Sequence, residues 1–252
     1  MTRFNLIKRI QTEPDSIFYS IVEYNGEFLG FARKSALQYY TDCRIKHVKL
    51  DKSLNIIRDN IVTYIGEDPR VFIHNNSVYI VDNTCNNTHL IEYATGRRIP
   101  VSISGKNLTF ISHNNILYFI HYLKPFALFE YNIDVQTITK KSVSDDGNTY
   151  NYEYRGGTTA YPCGKDKYYG FGHRTYHKNS VLTHDVFKWI VTFSEPPSIE
   201  IIEVEQPPNS KNICDPTSIV NIDNKNYLIT AESDTHWFDK QDYVTNMYEI
   251  LD

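Results

Sequence analysis

Residues able to do chemistry are scattered along the whole 252-residue chain. Glu67-Asp68-Pro69-Arg70 sets two carboxylates beside a guanidinium. Arg155-Gly156-Gly157-Thr158, His173-Arg174, Asp215-Pro216-Thr217-Ser218 and Glu232-Ser233-Asp234 form further groups, with Arg33, Asp82, Lys106-Asn107 and His121 between them. Carboxylates transfer protons or accept hydrogen bonds from hydroxyls. Guanidinium forks grip phosphate or carboxylate oxygens at two points. Such a mixture suits a polar pocket for a small ligand, whereas a protein-docking patch would carry an aromatic core. The groups lie far apart in sequence, so a fold has to gather them.

Composition narrows the class. The chain is 41% hydrophobic and 22% charged, in the range of globular proteins. A net charge of −4, with no long Lys/Arg run, argues against nucleic acid or anionic lipid as partner. No stretch reaches the ~18 apolar residues of a membrane span. Cys43, Cys85, Cys163 and Cys214 form no paired motif and read as reduced thiols. The opening segment 1–16 has no apolar run, so the expectation is a cytoplasmic protein. His47, His74, His89, His113, His177 and His184 show no metal-ligand spacing, and zinc-cluster, phosphate-loop and dinucleotide motifs are absent. Neither a metal nor a cofactor is expected.

The elements that position these groups are strands. Aromatic residues make up 14%, with twenty tyrosines, which favours β-structure. One pattern recurs five times: an apolar strand, a tight polar turn and a second apolar strand. The copies are SIVEYNGEFLGFAR (20–33), VFIHNNSVYIVDN (71–83), TFISHNNILYFIHY (109–122), TAYPCGKDKYYGFGHR (159–174) and SIVNIDNKNYLITAES (218–233). Their turns centre on Asn25-Gly26, Asn75-Asn76, Asn114-Asn115, Lys165-Asp166 and Asn224-Lys225, and Asn and Gly tolerate the positive φ that two-residue hairpins demand. Further strand-like runs lie between the copies, giving about four strands in roughly 40–60 residues, the size of a propeller blade. The spacing predicts an all-β chain, a single five-bladed β-propeller over 1–252. Its blades fall near 11–65, 66–104, 105–150, 151–212 and 213–252, with 1–10 pairing with the last blade and closing the ring. A β-sandwich of hairpins is the rival arrangement.

In a propeller, the start of each first strand and the end of each second strand meet on one face, around the channel mouth. That face would carry Arg33, Glu67, Asp68, Arg70, Asp82, Lys106, Asn107, His121, Arg155, Thr158, His173, Arg174, Asp215, Glu232 and Asp234. The two glycines beside Arg155 would let it approach a ligand closely. The alternative is a rim of ion pairs that stiffens the ring, with Arg70 held by Glu67 or Asp68. Trp189 reads as packed on a strand, and the polar stretch 142–154 as a linker or flap.

These groups recur in order in a known family. Glu67-Asp68-Pro69-Arg70-Val71, Lys106-Asn107, Gly170-Phe171-Gly172-His173 and Glu232-Ser233-Asp234 resemble the five-bladed propeller enzymes of carbohydrate metabolism. The similarity is greatest to the β-mannoside phosphorylases, mannosidases and β-mannosyltransferases, and looser to arabinanase and invertase propellers. It spans roughly residues 16–238. The resemblance implies that Asp68 is the catalytic acid, that His173 and Arg33 surround the reacting sugar or phosphate, and that Asp234 holds a sugar hydroxyl. Lys106-Asn107 is followed by Leu108-Thr109-Phe110, where the family carries Trp and then Phe-Pro. The phosphate-binding arginine expected in that blade has no match, which weakens the phosphorylase reading.

Glycosyl transfer needs an acid for the leaving oxygen, stabilisation of an oxocarbenium-like transition state and a placed acceptor. Asp68 is the candidate acid/base. Arg70, Arg155, Arg174 and His173 would cradle the anion of a sugar phosphate or nucleotide sugar. Asp82, Asp215, Glu232 and Asp234 would accept sugar hydroxyls, with Tyr122, Trp237 or Phe238 as stacking platforms. The expected activity is transfer of a glycosyl unit, in the family's case mannosyl, from an activated donor to a glycan. A hydrolase on an oligosaccharide is the first alternative, with Glu232 or Asp215 as the required second carboxylate. A non-catalytic propeller that binds glycan or protein is the second.

Overall fold

A computed structural model of the chain describes residues 1–13, 16–34, 44–82, 88–103, 105, 107–144, 153–235 and 243–252. Among these, every regular element is a strand, and no helix is long and apolar enough to cross a membrane. Lys106, His236, Trp237 and Phe238, with Cys43, Cys85 and most of the 142–154 stretch, lie outside the described residues.

After β1 (Arg3–Ile10) come three four-stranded antiparallel sheets, each a meander in chain order. The first holds β2 (Ser16–Tyr24), β3 (Glu27–Lys34), β4 (Arg44–Leu50) and β5 (Ile56–Ile65). The second holds β6 (Arg70–His74), β7 (Ser77–Asp82), β8 (His89–Glu92) and β9 (Arg98–Pro100). The third holds β10 (Thr109–His113), β11 (Ile116–Tyr122), β12 (Ala127–Asn132) and β13 (Thr137–Val143).

The remaining strands form one nine-stranded sheet that divides naturally in two. One part is β14 (Tyr154–Arg155), β15 (Tyr161–Gly164), β16 (Lys167–Lys178), β17 (Val181–Thr192) and β18 (Ser198–Glu203). The other is β19 (Ile213–Ile222), β20 (Lys225–Ser233), β21 (Val244–Leu251) and β1. A single parallel pair, His184 with Ile213, joins the two. The expected pairing of the first strand with the end of the chain is present, from Arg3 opposite Leu251 to Ile10 opposite Thr245.

Asn25-Gly26, Asn75-Asn76 and Asn114-Asn115 turn the first three hairpins, with positive φ at both positions of each. The last turn is Asp223-Asn224, one residue earlier than the sequence pattern suggests. Both residues have positive φ, and Lys225 already pairs with Ile222. Two strand boundaries also differ from expectation. β16 does not end at His173-Arg174 but runs on to Lys178, because Asn179-Ser180, also at positive φ, supplies a second tight turn into β17. β19 begins at Ile213, so Asp215 through Ser218 sit within a strand rather than before one.

Apolar clusters lie between neighbouring sheets and between the two parts of the nine-stranded sheet. Leu29, Phe31 and Ile45 meet Val71, Val78 and Ile80. Tyr79, Val81 and Leu90 meet Phe110, Leu117 and Phe119. Ile120 and Leu128 meet Phe187, Trp189 and Val191. Phe171 and Val186 meet Leu228, Tyr248 and Phe4. Ile229, Met247 and Ile10 meet Tyr19, Ile21 and Val48 of the first sheet. Trp189 is fully buried, as its place in an apolar strand predicts.

Where first strands converge, hydroxyls replace backbone ladders. Ser20 donates to the Thr217 carbonyl at 3.2 Å and accepts the Val71 N–H at 3.1 Å. Ser218 accepts the Ile21 N–H at 3.0 Å, and Thr159 donates to the Val71 carbonyl at 3.0 Å. A repeated contact marks the hairpin ends: His74 Nδ1 lies 2.9 Å from Ser112 Oγ, and His113 Nδ1 lies 3.3 Å from the Tyr168 hydroxyl, each in the next sheet.

Two consequences are measurable. A Cβ at Gly170 would stand 2.1 Å from the Trp189 ring, so Gly170→Ala is expected to destabilise by about 1–3 kcal/mol, read as a lower denaturation midpoint. His47 stacks on Phe31, and burial, aided by Lys49 and Arg58, holds its pKa down at about 4. The unfolded imidazole therefore binds a proton first as pH falls. Stability should drop from about pH 6.5 towards pH 4, and His47→Phe should flatten that slope in pH-dependent melts.

Candidate functional site

The Glu67–Arg70 segment enters β6 through a strained turn. Asp68 has φ 46°, a left-handed conformation that Asp tolerates better than most side chains, and Pro69 follows it. The turn presents both carboxylates to one guanidinium. Arg33 Nη1 donates to Asp68 Oδ1 at 2.8 Å and Nη2 lies 3.2 Å from Glu67 Oε2, with all three side chains at least 85% buried. Asp82, at the end of β7, is fully buried. It accepts the Glu67 N–H at 3.1 Å and a hydrogen bond from Arg98. Arg98 was not foreseen: it follows Gly96 in an exposed turn and reaches back along the sheet.

Arg70 is almost wholly buried. Its Nε donates to the Gly157 carbonyl and its Nη1 to the Pro69 carbonyl at 2.9 Å. Burial lowers its pKa, against the opposing charges of Asp68 and Asp215. Arg70 thus ties the turn to the Arg155–Thr158 segment. The glycines of that segment serve close packing rather than ligand approach. A Cβ at Gly156 would stand 2.2 Å from the Asn107 carbonyl oxygen, and one at Gly157 would stand 2.6 Å from that of Phe171 and 2.7 Å from Pro216. Thr158 is fully buried and closes the same crossing: its N–H and Oγ1 bond the Phe171 backbone at 2.9 and 3.0 Å.

Arg155 pairs across the strand with His173. His173 and His184 stack with centroids 4.6 Å apart and an interplanar angle of 19°. Asp215 Oδ1 lies 2.6 Å from His184 Nδ1 and 3.4 Å from His173 Nδ1. Burial depresses His173 to about 3, with His184, Arg155 and Arg70 acting the same way against Asp215, so the imidazole is neutral at pH 7. Burial alone would raise the Asp215 pKa, but His184, His173 and Arg70 together hold it well below the carboxylate range. His184 escaped the sequence reading because it lies in β17. The signal was Asn179-Ser180: folding β16 on β17 there sets Thr175 opposite His184, which places His173 and His184 on one face.

Beside this cluster is a hollow of about 270 Å³, lined by Gly105, Asn107, His121, Tyr122, Tyr154 and Arg155 among others. Its walls are largely apolar, with the polar groups of Asn107, His121 and Arg155 converging on it.

Three expected rim residues are engaged with partners outside the Asp68 and His173 groups. Arg174 projects to the face of β16 opposite His173, as strand alternation requires, pairs with Glu153 at 3.4 Å and lies over the Tyr154 and Tyr176 rings. Glu232 is fully buried within the last sheet, accepting from Thr230 at 2.6 Å and Tyr248 at 2.9 Å. Asp234 is exposed, 3.3 Å from Lys211 Nζ.

The sequence matches no family model and no curated protein. Solved structures do resemble this one. A mannose phosphorylase from Leishmania mexicana, solved with a phosphate ion, superposes with a TM-score of 0.68 at 11% identity, over 97% of this chain and 88% of its own. A GDP-mannose-dependent mannosyltransferase from the same organism gives 0.64 at 13% identity, over 98% and 88%. A glycosyl hydrolase from Bacteroides ovatus gives 0.60 at 11% identity, over 94% and 84%. At these identities the likeness is one of fold: an all-β architecture shared with carbohydrate-active enzymes.

Removing Arg33 leaves Glu67 and Asp68 facing each other with less compensation. Arg33→Met should therefore destabilise by about 3 kcal/mol in urea unfolding, and adding Asp68→Asn should recover part of that loss.

Proposed function

We propose that the chain is a five-bladed β-propeller enzyme of glycan metabolism that transfers a glycosyl unit, of the mannosyl type, from an activated donor to a sugar acceptor. The five-blade reading is supported by apolar clusters that separate the three four-stranded sheets and the two parts of the nine-stranded sheet, one of which joins the final strands to the first sheet. The N-terminal strand completes the fifth blade through its ladder with β21.

The observation that carries the functional reading is that Arg70 bonds the backbone carbonyls of both Asp68 and Gly157, which ties the Asp68 turn to the segment whose Arg155 lines the hollow. Its volume of about 270 Å³ falls just below that of drug-sized ligand cavities, which run from about 300 Å³ upward, and suits one sugar ring. Tyr122 and Tyr154 offer ring faces, and Asn107 and His121 offer hydrogen bonds to hydroxyls. Arg155 is the group for the phosphate or diphosphate of the donor. Asp68, positioned by Arg33, takes the proton of the acceptor hydroxyl as the new glycosidic bond forms, and the donor's phosphate leaves as an anion against Arg155. Transfer is favoured over hydrolysis by the state of the other carboxylates. Glu232 is engaged by Thr230 and Tyr248, and Asp215 by His184, so neither supports the two-carboxylate arrangement of most hydrolases.

The test is incubation with sugar phosphates, nucleotide sugars and oligosaccharide acceptors, with products followed by mass spectrometry. A transferred glycosyl group is expected, abolished in Asp68→Asn at an unchanged melting temperature. Arg155→Ala should raise KM for the donor about tenfold while leaving that for the acceptor near its starting value. Full activity of Asp68→Asn would remove Asp68 from the mechanism. Ligand binding without any turnover would make the chain a glycan-binding propeller.

A further inference from the structure

Two imidazoles and a carboxylate meet where β16, β17 and β19 pack together. One donor atom from each of His173, His184 and Asp215 lies within 4.8 Å of the other two. The three residues are 3%, 5% and 5% exposed, which is unusual for so many polar groups in one place. His184 Nδ1 and Asp215 Oδ1 are hydrogen-bonded at 2.6 Å. His173 Nδ1 points at the same oxygen from 3.4 Å and has no hydrogen-bond partner among the described residues. A buried nitrogen left in this way costs about 1–3 kcal/mol, and native proteins rarely retain one without a use.

We propose that His173, His184 and Asp215 form a binding site for a divalent first-row transition metal ion. The donor set selects the ion. Two imidazoles with one carboxylate suit zinc and its neighbours, whereas calcium and magnesium take mainly oxygen ligands. Ligand atoms about 2.1 Å from a tetrahedral ion stand roughly 3.4 Å apart, and the His173–Asp215 pair already has that separation. His184 gives up its hydrogen bond to Asp215 on binding. The Nδ1 proton that faces Asp215 is displaced to Nε2, so that the Nδ1 lone pair faces the ion. Arg70 and Arg155 are the cations facing the cluster, and their charge opposes cation binding. Three protein ligands leave a further coordination position open. The site is independent of the glycosyl-transfer reading, because none of its three residues is assigned there to the reacting sugar.

The experiment uses the full chain after exhaustive chelation. Zinc binding is measured by calorimetry, cobalt(II) binding by its visible ligand-field bands, and the zinc-loaded wild type by X-ray absorption. The expected result is one equivalent per chain, a raised melting temperature and two imidazole ligands on the ion. His184→Gln and His173→Phe should each weaken binding at least tenfold, while His177→Ala, at an exposed position, should leave it unchanged. The wild-type absorption spectrum reads the ligands even where a variant fails to fold. Absence of saturable binding by the wild type, fewer than two imidazoles on the ion, or equal loss in the His177 variant would overturn the site.

Discussion

The close approach of β2, β6 and β19 governs much else in this molecule. Strands that splay apart cannot share a backbone ladder, yet their N–H and C=O groups are buried and must find partners. Ser20, Thr217, Ser218 and Thr159 meet that need by extending hydroxyls from one strand to its neighbour. Arg70 does the same over a longer reach, to Gly157. Apolar side chains then fill the widening gaps outside. Because the hydroxyl contacts fix how closely the strands approach, they also fix where the strand ends lie, and the candidate site is made of those ends.

The site is held before any ligand arrives. Arg33, Glu67 and Asp68 form an ion-paired triplet with little water access, and the Glu67 backbone is pinned by the fully buried Asp82. Such pairs give little net stability after desolvation, but they fix orientation. His173 is held neutral at pH 7 by its burial, and Arg70 and Arg155 bring positive charge to the region. The strained backbone at Asp68 fits a residue whose position matters more than its comfort.

Much of this was legible in the residues. Paired Asn and Asn-Gly turns located three of the hairpins, because few other residues accept positive φ twice in succession. Glu67-Asp68-Pro69-Arg70 marked the centre of the candidate site. What stayed hidden depended on register and on contacts across sheets. The Asn179-Ser180 turn extends β16 beyond His173 and so brings His184 beside it, but its flanking residues are too polar to read as strand. Glu232 carries the same chemistry as Asp68 on paper. Only the fold shows it spent on Thr230 and Tyr248 inside the last sheet. Gly156 and Gly157 looked like room for a ligand, but the space is taken by the carbonyls of Asn107 and Phe171.

The ladder between the first and last strands has a mechanical corollary. Arg3 stands opposite Leu251, and Thr2 bonds Asp252 at 2.6 Å, so residues 2 and 252 leave the ladder at the same end. Tension applied there would peel the two strands apart one hydrogen bond at a time, instead of shearing the whole row together. The seam that joins the two ends is therefore the weakest line in the molecule under load from those ends, however well its core is packed.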